Sequence, residues 1–128
     1  MNSPKKGLIL VVDDNQDSRD IVKRILIREQ LTTIEARDGQ EGIEICFEES
    51  PDLILMDIRM PRLNGDQATR IIRDSLGDEC PPIIGLTGDL LEIKGSSRKH
   101  DVFDEVLGKP YEFETLTNIV KRHLAKVA

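Results

Sequence analysis

Leu53-Ile54-Leu55-Met56 runs without a break into Asp57, and the reading of this stretch decides the fold. Four apolar residues ending in a carboxylate read as a short strand buried on both faces. Outward from it, three more runs end the same way. Leu8-Ile9-Leu10-Val11-Val12 leads into Asp13-Asp14, Ile83-Ile84-Gly85-Leu86 into Thr87, and Val106-Leu107-Gly108 into Lys109-Pro110. In an open parallel sheet, ligands gather outside the carboxyl ends of the strands. One sheet edge is therefore expected to carry three carboxylates, a hydroxyl and an ammonium.

The remaining pattern fits such a sheet. Strands are expected over 8–13, 31–36, 52–57, 82–87 and 103–107. The second, Leu31-Thr32-Thr33-Ile34-Glu35-Ala36, is the most polar and reads as an edge strand. A helix is expected after each strand. Apolar stripes at helical spacing are Ile21, Val22, Ile25 and Leu26; then Ile43, Cys46 and Phe47; then Ala68, Ile71 and Ile72; last Phe113, Leu116, Ile119, Val120 and Leu124. Gly95-Ser96-Ser97 weakens the segment from Leu90 to His100, which is expected to form a short or frayed helix. Pro51, Pro61, Pro81-Pro82 and Pro110 fall at or near the junctions. Alternating βα units imply an α/β fold, its parallel sheet covered on both faces through right-handed crossovers. Residues 1–128 read as one domain, with 1–6 a flexible lead-in.

Composition narrows the function. The net charge is -6, which argues against direct nucleic-acid binding, since that rests on phosphate neutralisation. The chain has no Trp and few aromatics for stacking on bases. No run approaches a membrane span and no apolar signal region is present, so a cytoplasmic domain without membrane contact is expected. Cys46 and Cys80 show no CxxC spacing and read as ordinary thiols. His100 and His123 have no recognisable kinase context and read as solvated.

Charge arithmetic gives the site its chemistry. If Asp13, Asp14 and Asp57 stand about 4–5 Å apart, each pair repels by roughly 3–4 kcal/mol at an effective dielectric near 20. Such a cluster protonates or binds cations. Lys109 supplies one positive charge, and a divalent metal supplies the other two needed. Hard oxygen ligands suit Mg²⁺, with Mn²⁺ as a substitute. A carboxylate beside that metal can act as a nucleophile toward a phosphoryl group. Lys109, the Thr87 hydroxyl and backbone N–H groups can then share the charge of the transition state. Taken singly, an Asp-Asp pair reads as a helix cap, Thr87 as packing and Lys-Pro as a loop. Their joint occurrence, in order and at matching strand ends, is what carries the reading.

The chain resembles a receiver domain of a two-component response regulator over essentially its whole length. The resemblance rests on Val11-Val12-Asp13-Asp14-Asn15, on Asp52 through Pro61, on Leu63-Asn64-Gly65, on Leu86-Thr87 and on Lys109-Pro110. It implies a flavodoxin-like (βα)5 doubly wound fold with strand order 2-1-3-4-5. It further implies transfer of a phosphoryl group from a partner phosphohistidine onto Asp57. Asp14 would ligate Mg²⁺ directly, Asp13 through water, and the Arg59 carbonyl would add a further ligand beside Asp57. Thr87 and Lys109 would contact the phosphoryl group, and the Lys109-Pro110 peptide would be cis. The partner would be a histidine kinase or a histidine-phosphotransfer domain. The domain would have intrinsic phosphotransfer and autodephosphorylation but no other enzymatic activity. Asp14-Asn15, Asp66 through Arg73 and Pro82 through Thr87 are similar to receivers of hybrid sensor histidine kinases.

Two positions depart from the family pattern. Val106 stands where the family often has Tyr or Phe, three residues before the Lys, and Gly88 where it often has Ala. The family aromatic swings inward as the Thr moves, and Val106 cannot make that movement. The pattern argues against two other function classes. A haloacid-dehalogenase-type aspartyl-phosphate hydrolase carries DxD after its first strand, whereas Asp13-Asp14-Asn15 ends this one. A pseudo-receiver that binds a partner without phosphorylation would lack some of the five chemical positions, and all five are present. Arg59 and Asp89 flank the expected site and are expected to pair across its mouth. The first helix and adjacent loops are the expected partner surface.

Overall fold

The computed structural model describes residues 7–88 and 102–126. The elements are β1 (Leu8–Val12), α1 (Gln16–Ile27), β2 (Thr32–Ala36), α2 (Gly39–Glu49), β3 (Leu53–Asp57), α3 (Gly65–Leu76), β4 (Ile83–Thr87), β5 (Glu105–Gly108) and α4 (Phe113–Lys126). The five strands form one parallel sheet in the order β2-β1-β3-β4-β5. The expected flavodoxin-like order therefore holds, and β2 lies at an edge as its polarity implies. The expected lead-in over 1–6, the weak helix from Leu90 to His100, and Asp89 lie outside the described residues.

Strand alternation sorts the apolar side chains into two layers. Ile9 and Val11 of β1 face a core shared with α1 and α4, while Leu10 and Val12 face one shared with α2 and α3. β3 and β4 contribute to both layers in the same way, so their fully buried runs need no polar face. The helix starts are set by short polar side chains. Asn15 accepts from the Ser18 amide at 2.9 Å, Asp38 from Glu41 at 2.8 Å, and Asn64 forms a capping box with Gln67. Because Asn15 serves as the cap of α1, the two preceding aspartates are left for other work.

The last strand begins two residues later than the spacing predicts. Asp104 is occupied otherwise: its carboxylate accepts from the Ile83 amide at 2.7 Å and from Arg73 at 2.9 Å. Phe103 is buried beneath Gly85, where an added Cβ would come within 3.0 Å of the ring. Four stripe residues are also exposed rather than buried, namely Ile21, Phe47, Ile71 and Phe113. The first three stand roughly 90–110° from the centre of their helix's buried face, beyond the width a flat sheet covers. Phe113 lies on the stripe but in the first turn of α4. His123, expected to be solvated, is 5% exposed. It lies on the α4 stripe beside Leu124, and its Nε2 stands 2.8 Å from Glu105 Oε1. Val106 is half-buried against the α2/α3 layer. Cys46 and Cys80 are both free, and burial pushes the Cys46 thiol up to about 11. No helix among the described residues is long and apolar enough to cross a membrane.

Candidate phosphoacceptor site

Strand register assembles the site. Val12 pairs with Met56, so Asp13 and Asp57 come next on neighbouring strands. Asp57 pairs with Leu86 and Thr87 pairs with Gly108, which places Lys109 one step further out. The Lys109 amide donates to the Thr87 carbonyl at 2.6 Å, holding that end of β5 against β4. The Lys109-Pro110 peptide is cis. All four strand ends singled out in the sequence thus meet at one sheet edge.

Asp13, Asp14 and Asp57 each offer a carboxylate oxygen within 4.8 Å of the others. Asp13 is buried, Asp57 is 7% exposed and Asp14 opens to solvent. Lys109 Nζ lies 3.2 Å from Asp13 Oδ2 and 3.8 Å from Asp57 Oδ2. The Asn15 amide donates to Asp13 Oδ1 at 2.9 Å. One ammonium does not offset three carboxylates. Asp57 shows the deficit: burial first, then the charges of Asp13 and Asp14, push its pKa up to about 7 against the opposing pull of Lys109. An all-oxygen donor set with surplus negative charge and one solvent-facing member fits a hard divalent cation. Thr87 closes β4 with no exposed surface. Arg59 is exposed in the loop after β3.

Three residues gain importance only in three dimensions. Gly65 packs its Cα against the backbone after Asp57, and an added Cβ would stand 2.8 Å from Ile58 Cα. Tyr111 lies beside the site, and burial followed by the charges of Asp13 and Asp57 pushes its phenol up to about 12. It shares an apolar hollow with Ser18, Ile21, Lys109 and Pro110. Arg19 is buried, with Nη1 donating to the Asp13 carbonyl at 2.6 Å. Its signal was a charged residue on the apolar stripe of α1, one turn before Val22.

Comparison with known proteins points the same way. The family model for the response regulator receiver domain matches residues 9–121. Protein PilH of Pseudomonas aeruginosa is 35% identical over 118 residues, which are 91% of this chain and 97% of PilH. Sensor histidine kinase CheAY of Helicobacter pylori is 31% identical over 125 residues, 96% of this chain but 16% of the kinase. Among solved structures, the receiver domain of sensor histidine kinase PA1611 from Pseudomonas aeruginosa PAO1 superposes with a TM-score of 0.84 at 28% identity, covering 93% of this chain and 98% of that one. That structure has a magnesium ion coordinated in its active site cleft. The acidic edge, the strand order and these matches agree that the chain belongs to the response regulator receiver domain family, the phosphoacceptor modules of two-component systems.

Proposed function

We propose that Asp57 is the residue phosphorylated, with Asp13, Asp14, Asp57 itself and the Arg59 carbonyl holding Mg²⁺ and with Thr87 and Lys109 receiving the phosphoryl oxygens. The observation that carries this reading is the convergence of three carboxylates, with the Lys109 ammonium 3.2 Å from Asp13 and 3.8 Å from Asp57. An Asp57 carboxylate oxygen attacks phosphorus, the P–N bond of a partner phosphohistidine breaks, and an acyl phosphate forms. Lys109 already sits against Asp57 and can follow the transferred charge, and the Thr87 hydroxyl lies at the adjacent strand end. Mg²⁺ supplies the remaining charge neutralisation, and Mn²⁺ is a substitute of the same donor preference. The bound group would be lost by intrinsic hydrolysis, with no other enzymatic activity.

The partner is a histidine kinase or a histidine-phosphotransfer domain, and the exposed Ile21 beside Pro110 and Tyr111 offers it an apolar foothold next to Asp57. Similarity to kinase-borne receivers supports a place within a hybrid sensor kinase, as one cytoplasmic module spanning 1–128. Incubation with Mg²⁺ and acetyl phosphate tests the assignment by intact mass. One phosphoryl group should appear in the wild type and none in Asp57→Asn. No gain in the wild type, or a gain that persists in the variant, overturns it.

A further inference from the structure

Arg19 is a buried cation that the phosphoryl chemistry leaves unused. Its side chain is 7% exposed, a costly place for a guanidinium unless every direction is paired. Nη1 donates to the carbonyl of Asp13 at 2.6 Å and Nε to Glu35 Oε1 at 2.9 Å. Glu35 lies on the edge strand β2, and the Arg19 bond is the main reason its carboxyl is held below the usual range. Lys23 braces the same carboxylate at 3.4 Å.

The Asp13 backbone is consequently held at both its polar groups from the β2 side. Its N–H donates to the Ala36 carbonyl at 3.1 Å, and its C=O accepts from Arg19. With the backbone fixed, only the two side-chain torsions place the carboxylate, and Asn15 and Lys109 engage its two oxygens. We propose that Arg19 is a positioning residue for the metal: by clamping the Asp13 carbonyl to Glu35 of the edge strand, it sets where the Asp13 carboxylate stands and so the affinity for Mg²⁺. This rests on the metal reading of the acidic cluster given above. A lysine cannot replace the clamp, because a single ammonium lacks the planar fork that reaches both acceptors.

The sign of one substitution separates positioning from simple electrostatics. Arg19→Gln removes a positive charge near the cluster, so electrostatics alone predicts tighter Mg²⁺ binding. Positioning predicts weaker binding. Mg²⁺ affinity is read calorimetrically on the full chain at fixed ionic strength, together with emission of Tyr111, the one tyrosine in a chain without Trp. Arg19→Gln should weaken Mg²⁺ about tenfold, the usual scale for partners that orient a metal ligand. Arg19→Lys and Glu35→Ala should weaken it in the same direction, and the amide resonance of Asn15 should shift in both. Unchanged or tighter binding by a folded Arg19→Gln overturns the proposal. If that variant does not fold, wild-type affinity in both Arg19→Lys and Glu35→Ala overturns it. A wild type that binds no Mg²⁺ overturns the metal reading and the clamp together, a result distinct from wild-type binding that the variants retain.

Discussion

At the scale of single residues, Asp57 has two competing demands. Its burial suits a neutral side chain, while the nucleophilic attack proposed for it needs a carboxylate. A pKa raised from 3.8 to about 7 means that the folded chain retains a proton that the unfolded chain has released. Between those values the native state binds more protons, so stability falls as pH rises from about 4 to about 7 and levels off above. Thermal unfolding in Mg²⁺-free buffer across that range should show the decline. Asp57→Asn should flatten it and stabilise the chain at neutral pH by an amount on the order of 2 kcal/mol. Gly65 illustrates a constraint of another kind. Gly65→Ala forces a methyl group into the backbone after Asp57 and should cost about 2–3 kcal/mol, read by urea unfolding. Leu63-Asn64-Gly65 was legible as part of the family pattern, but the backbone approach that requires the glycine was not.

At the scale of elements, the connections hold strain and leverage that composition does not reveal. Ser50 ends α2 in the left-handed region at φ 49, a conformation that glycine adopts without penalty. Ser50→Gly should therefore stabilise by about 0.5–1 kcal/mol, seen as a higher melting temperature with unchanged Mg²⁺ binding. Arg73 of α3 reaches across to the Val102 carbonyl at 2.5 Å and to Asp104, which also accepts from the Ile83 amide. This latch explains the late start of β5. Asp104→Ala leaves the Ile83 amide without that acceptor and should destabilise by about 1–2 kcal/mol in urea unfolding. Apolar spacing alone draws the helix stripes one residue too wide. Periodicity identifies a face, but a sheet covers only part of it, so Ile21, Phe47 and Ile71 remain outside.

At the scale of the whole molecule, a net charge of -6 and a three-carboxylate edge should make the fold responsive to divalent cations. A cation bound only by the native state stabilises by RT ln(1 + [L]/Kd). Mg²⁺ at ten times its dissociation constant should add about 1.4 kcal/mol, and NaCl of equal ionic strength should not reproduce it. A melting temperature indifferent to Mg²⁺ would count against the site. The two-layer core explains why the site stays in place: β1, β3 and β4 are packed from both faces, and their carboxyl ends cannot shift independently.

The strands, their parallel sense and the five chemical groups were legible in the linear chain, while the strand order came from the family resemblance. Apolar runs, turn residues and strand-end polarity are local properties, and a known family pattern linked them. What only the tertiary structure decided depends on distance between segments far apart in sequence. Lys109 reaches Asp13 across 96 residues and stands 3.8 Å from Asp57 Oδ2, where its charge pulls the Asp57 pKa down against burial. The burial of His123 against Glu105 and the clamp of Arg19 on Asp13 are of the same kind. A polar side chain on an apolar stripe reads as solvated until its partner appears, and that partner is supplied by another element of the fold.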